Sequence, residues 1–461
     1  MVLGLAGQLA AQEEQLAVGR RALSAGDASA AITAFQAALE ANGSLAPAWL
    51  GLSAASELEG DWVNALGSAR RAVELAPDNP APQLALSVLL TRMGRGGEAL
   101  AGFERTRTLA PELAEAYLLP AVMLWNEDRP EEASVLLAAG FDRTADPALA
   151  EQLGFLRLSS GSPGEALDIA EAALAAAPDR GDLLLVKALA LAANPEREAE
   201  GVLWFARALE AGVSNEGQAR LELARLLAEQ GSWPAAAAEL ERAALLLPDA
   251  AEVFFRLATA QRQAGELERA ESALERYQQL NEESVQNERA VRELGTGLNE
   301  AQALAGADQL EEALARLDSI TGGDASSRAM VLRAKVLFSL GRRGEAVAAA
   351  DAAAALAPFE IEPSYLTAVF AFAVERYAES LAAVEATLSL DPRLAEAWAL
   401  RGSTLARSAR FAEAVASFER ALALDFDSAQ LRLDYAGVLS ELGRDEESRV
   451  QLEARQRLLN G

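Results

Sequence analysis

The chain has 461 residues, 51% of them hydrophobic and only 5% aromatic, and its 69 acidic against 41 basic side chains give a formal net charge of −28. It has no cysteine and no histidine, which excludes disulfides, thiol nucleophiles, zinc fingers and histidine-based triads. A chain this acidic repels phosphate backbones, so nucleic acid is not an expected partner.

In chain order, the first segment, Met1–Ala11 (MVLGLAGQLAA), is apolar and gives way abruptly to Gln12, Glu13 and Glu14. Two readings stand: the truncated end of an export signal without its basic start, or a helix that caps the rest of the chain. The first would place the protein in the periplasm or cell envelope of a bacterium. No stretch reaches the roughly 20 apolar residues needed to span a bilayer.

From Gln12 onward the sequence is periodic. Ala31, Ala65, Ala99 and Ala133 lie 34 residues apart, and Gly26, Gly60 and Gly94 keep the same step. So do the pairs Pro77/Pro111 and Pro358/Pro392. A fixed step of this size marks a repeated helix–turn–helix unit. The third unit shows the logic. Leu86, Leu89 and Leu90 form a helical stripe, Gly94–Gly97 interrupt it, Ala99 and Phe103 sit four apart on a second helix, and Pro111 ends the unit. The alanine permits two helices to cross closely; Phe35, Phe103 and Phe418 fill the space beneath.

Registered this way, the chain holds about thirteen units. They begin near Gln12, Ala46, Asn79 or Pro80, Ala114, Pro147, Gly181, Gly217 and Ala251. After a break they resume near Leu294, Ser327, Ile361, Ala395 and Ser428 or Ala429. Pro120, Asp128, Asn194-Pro195 and Asp308 depart from the pattern. The polar stretch Asn281–Glu300 overruns the period and reads as a hinge or an extended helix, with an ordinary surface insertion as the alternative. The expected divisions are a leading segment (1–11), repeats one to eight (12–284), the polar stretch (285–300), and repeats nine to thirteen (301–461). A single amphipathic helix over Leu431–Leu459 would close the array.

Trp49 and Trp398, the pair Leu153-Gly154, and the spaced pairs Ala31/Phe35, Ala99/Phe103 and Ala414/Phe418 give the chain its resemblance to the tetratricopeptide repeat (TPR) family. That resemblance implies an all-α, right-handed superhelical solenoid of antiparallel helix pairs. It also implies a concave groove, lined by the first helix of each unit, that takes an extended peptide or a partner helix. Carried over by register, the groove positions are apolar in two segments. Repeats three to six supply Leu84, Val88, Leu118, Val122, Trp125, Phe155, Leu158, Leu185 and Leu189; repeats ten and eleven supply Phe338, Tyr365 and Phe372. Phe255 and Leu433 hold an equivalent position in repeats eight and thirteen. The same side chains would also suit packing against the next unit.

Adjacent carboxylates such as Glu131/Glu132 and Glu446/Glu447 point about 100° apart on a helix and cannot flank one reacting atom. No catalytic residue, cofactor or metal is expected. The sequence therefore reads as a non-catalytic scaffold or adaptor for a protein or peptide partner, in cell-envelope assembly or export on the first reading of Met1–Ala11. Two alternatives stand beside it: an accessory subunit docking on an enzyme, and the remnant of a multidomain enzyme. Self-association is left open.

Overall fold

The structure, a computed structural model, describes residues 2–320 and 326–460, with side chains from residue 12 onward. Among the described residues the regular elements are twenty-five helices and no strands. The chain forms two compact units, Met1–Leu75 together with Val291–Gly461, and Ala76–Ala290.

The first unit opens with α1 (Val2–Ser24), α2 (Ala28–Ala41), α3 (Ala46–Leu58) and α4 (Trp62–Leu75). The second holds α5 (Pro80–Arg92), α6 (Gly96–Leu109), α7 (Glu115–Asn126), α8 (Pro130–Thr144), α9 (Pro147–Ser159) and α10 (Pro163–Leu174). It continues through α11 (Gly181–Ala192), α12 (Glu198–Ala211), α13 (Glu216–Glu229), α14 (Trp233–Leu246) and α15 (Ala251–Gln263). The 40-residue α16 (Leu267–Gly306) comes next. The first unit resumes within α16 at Val291 and continues with α17 (Leu310–Ile320), α18 (Ser327–Ser339), α19 (Arg343–Leu356), α20 (Ile361–Ala373) and α21 (Tyr377–Leu390). It ends with α22 (Ala395–Arg407), α23 (Phe411–Ala423), α24 (Ala429–Glu441) and α25 (Asp445–Asn460).

Local chemistry explains these boundaries. Pro80, Pro130, Pro147 and Pro163 open their helices, where the missing N–H costs nothing. Between the two helices of most units the chain passes through one left-handed residue, as at Gly60, Gly94 and Gly231; the connection from α11 to α12 does without one. Asp128 (φ 59°) and Asp308 (φ 61°) adopt that conformation without being glycine, which the short aspartate side chain tolerates. Two of the sequence departures therefore keep the turn intact. A third, Pro120, lies buried inside α7.

Ala31, Ala65, Ala99 and Ala133 are fully buried where paired helices cross, and Phe35, Phe103 and Phe418 are buried beside them. Observed helix starts at Ala46, Pro147, Gly181, Ala251, Ser327, Ile361 and Ala395 coincide with the expected unit starts. One expectation is corrected: Leu431–Leu459 is not a single helix. Gly443, at φ 71°, breaks it into the pair α24 and α25. The Met1–Ala11 segment is helical from Val2 as part of α1; its side chains lie outside the described residues.

The polar stretch is helical throughout. α16 serves as the second helix of the eighth repeat and the first helix of the ninth, and residues 281–293 on it are exposed all round. Within the first unit, α4 packs against α21, and Trp62 meets the ring of Phe359 edge-on at 4.7 Å between centroids.

Candidate peptide groove

The twelve side chains expected to line a groove all lie on first helices, but they differ in how far they are open. Leu84 and Val88 on α5 are half-buried. On α7, Leu118 and Trp125 lean on the core around Leu137 and Leu149, while Val122 is 38% exposed. Phe155 and Leu158 on α9 pack against Val186 and its neighbours; Leu185 on α11, 6% exposed, belongs to the core, and Leu189 is half-buried beside it. Phe338 on α18 stacks on Phe370 with centroids 4.3 Å apart and planes 12° from parallel. Tyr365 on α20 is half-buried against the core around Val384. Burial, with Glu396 nearby, raises its phenol above the ordinary value. Phe372 closes that helix edge-on to Tyr377, at 5.7 Å.

Four cavities open beside first helices. One of about 290 Å³ brings together Phe155, Leu185 and Leu189 with Phe205, rimmed by Asp182 and Glu222. Even the buried Leu185 therefore presents an edge to it. The Ser214 backbone N–H donates to Asp182 at 2.9 Å, which fixes one rim. Two more cavities flank Phe255, which is 52% exposed. The one between α13, α14 and α15, about 340 Å³, is walled by Ala224, Ala228, Trp233 and Leu240. The other, about 310 Å³, reaches Leu267 and Leu274 on α16.

The fourth is the largest, about 890 Å³, and lies along α20, α22 and α24. Phe372, Leu400, Phe411, Leu433 and Val438 form its walls, with Tyr377 at one end. Arg407 donates from Nε to the Tyr377 hydroxyl at 3.0 Å. That bond chiefly, with Tyr377, Glu375 and Asp434 adding attraction, holds the guanidinium above its ordinary pKa. Asp434 accepts from Ser403 Oγ at 2.8 Å and from Gln430 Nε2 at 2.7 Å.

The structure thus places Phe155, Leu185 and Leu189 on one cavity and Phe372 on another. It does not bring Leu84, Val88, Leu118, Val122, Trp125, Leu158, Phe338 or Tyr365 to any of these four. Trp233, Tyr377 and Phe411 were not expected. A signal for them exists: each stands two residues after a left-handed turn residue (Gly231, Glu375, Ala409), as does Trp62 after Gly60. Among the described residues no three His, Cys, Asp or Glu side chains are disposed to hold a metal, and no helix is long and apolar enough to cross a membrane.

Paired helices stacked in register, with cavities along several of the first helices, define an α-solenoid of the helix–turn–helix kind. A tetratricopeptide repeat model matches residues 16–80, 152–216, 221–284 and 366–425, more than half of the chain. The chain belongs to the tetratricopeptide repeat family. Solved structures similar to parts of it include MamA from Desulfovibrio magneticus RS-1, at 18% identity over 36% of this chain and 96% of that one, with a TM-score of 0.35. PilF of Pseudomonas aeruginosa is 21% identical over 44% of this chain and 92% of its own, at 0.37. A tetratricopeptide repeat protein from Parabacteroides merdae is 14% identical over 54% and 99%, at 0.40. No curated protein matches. The chain is a protein-interaction scaffold of a fold that is typically non-catalytic.

Proposed function

We propose that this scaffold holds a peptide or helix of a partner protein against the apolar side chains of its first helices, without catalysis, in bacterial envelope assembly or export. The observation that supports the binding mode is the set of apolar-walled cavities at Phe155, Phe255 and Phe372, each on a first helix at a position that register alone selects. Open apolar surface of this kind marks interaction sites, and a helix face laid into such a groove is a recurrent recognition mode. The envelope setting rests on the apolar segment Met1–Ala11.

The test is affinity capture from the native organism with the wild type beside a Phe155→Ala/Phe255→Ala variant. A partner held by the wild type and lost by the variant, with helical content unchanged by circular dichroism, is the expected result. Equal capture by two equally folded proteins would refute the groove.

A further inference from the structure

The cavity along α20, α22 and α24 carries three carboxylates on its lining, against two on the cavity at Phe155 and one on each of those at Phe255. Glu375, Asp434 and Glu441 stand on its lining beside Phe372, Leu433 and Val438. Among the described residues none of the three carboxylates forms an ion pair; Asp434 accepts only from the neutral Ser403 and Gln430. The single cation on the lining, Arg407, is engaged with Tyr377: its Nε bonds the hydroxyl and its guanidinium lies 5.6 Å from the ring centroid.

A second source of negative potential comes from the helices themselves. α20, α22 and α24 end at Ala373, Arg407 and Glu441, successive positions one 34-residue step apart. A helix C-terminus is the negative end of the helix dipole, damped here because Phe372, Ala406 and Ser440 accept N–H groups of the following turns. The cavity thus joins three carboxylates outside any ion pair to one apolar wall, at the C-terminal ends of three helices.

We infer that this cavity takes a basic amphipathic segment of a partner protein, its apolar side chains on Phe372, Leu400 and Leu433 and its arginine or lysine among Glu375, Asp434 and Glu441. The inference rests on the groove reading above and adds the sign of the ligand. An acidic peptide would meet like charge at Glu375, Asp434 and Glu441, while Arg407, the one cation on the lining, is engaged by Tyr377. A second copy of this chain, at −28, is opposed by the same repulsion. A small cation alone would leave the apolar wall unused.

The experiment measures fluorescence anisotropy of a labelled helix-forming peptide, leucines on one face and arginines on the other, titrated with the full chain. Versions with glutamine or with glutamate in place of arginine are compared. The basic peptide is expected to bind at least about tenfold more tightly than the glutamine version. A Glu375→Gln/Asp434→Asn/Glu441→Gln variant should abolish that difference, because exposed carboxamides keep shape and lose charge. A Glu282→Gln/Glu288→Gln/Glu293→Gln variant on α16 removes as much charge elsewhere and should keep the difference. Equal loss in both variants would reduce the effect to the net charge of the chain and overturn the inference. Equal binding of arginine and glutamine peptides, with both lost on Leu433→Ser, would overturn the inference while leaving the groove itself in place.

Discussion

A methyl group on Gly402 would stand 2.6 Å from Cε1 of Phe418, inside any tolerable contact. Gly19 and Gly51 face the ring of Phe35 in the same manner. Phe35 and Phe418 on their second helices are thus accommodated by glycines on the first helices around them, and the close helix crossing there depends on that pairing. Gly402→Ala is expected to destabilise by about 1–3 kcal/mol through overpacking, read from urea melts. Phe418→Leu in the same chain should recover part of the loss, giving a coupling in the double-mutant cycle that additive costs would disprove. The alanines and phenylalanines of the core were legible in the sequence because burial repeats with the period. The partner glycines were not, since a glycine inside a helix has no local reason to be there. Groove side chains were legible only as a register. Leu185 and Val122 are both aliphatic at first-helix positions, yet one is core and the other open. The difference is set by what the neighbouring repeats bring against them.

At the level of elements, the turn between paired helices carries more information than its glycines. In several units an arginine precedes the second helix and pairs with a glutamate three residues on: Arg95 with Glu98, Arg129 with Glu132, Arg410 with Glu413, Arg444 with Glu447. These bridges are largely exposed and each stabilises little. The aromatic residues just after the turn matter more. Trp233, Tyr377 and Phe411 wall cavities, whereas Trp62 is used against Phe359 where α4 packs on α21. Such an aromatic pair contributes about 1 kcal/mol beyond its buried area. Trp62→Ala should therefore raise hydrogen exchange in α4 and, together with it, in the α19–α20 connection that carries Phe359, while α24 and α25 keep their protection. Faster exchange in α4 alone would show that the contact does not hold the two segments together. Nothing local announces this pairing, because each repeat reads as complete with its own neighbours.

Over the whole molecule, most repeats end near a proline or glycine; the twelfth turns instead at Asp425, at φ 63°, and the eighth has no such stop. Between Leu267 and Leu294 there is no proline and no glycine, so nothing stops the second helix of the eighth repeat and it runs on as α16. The overrun of the period at Asn281–Glu300 was visible in the sequence. Its helical continuity comes from the absence of a breaker. Residues 281–293 are all exposed, so their helix is held mainly by its backbone bonds, and opening there should cost little of the global stability. Repeats also couple only to the repeats they touch, so an unsupported stretch divides the cooperativity of the array. Brief trypsin treatment should cut early at Arg289 or Arg292, among exposed side chains, and leave large helical fragments. Thermal unfolding of the intact chain should then proceed in more than one step. If residues 281–293 resist trypsin while arginines on packed helices are cut, and the chain melts in one sharp transition, α16 is stabilised by something other than its own backbone.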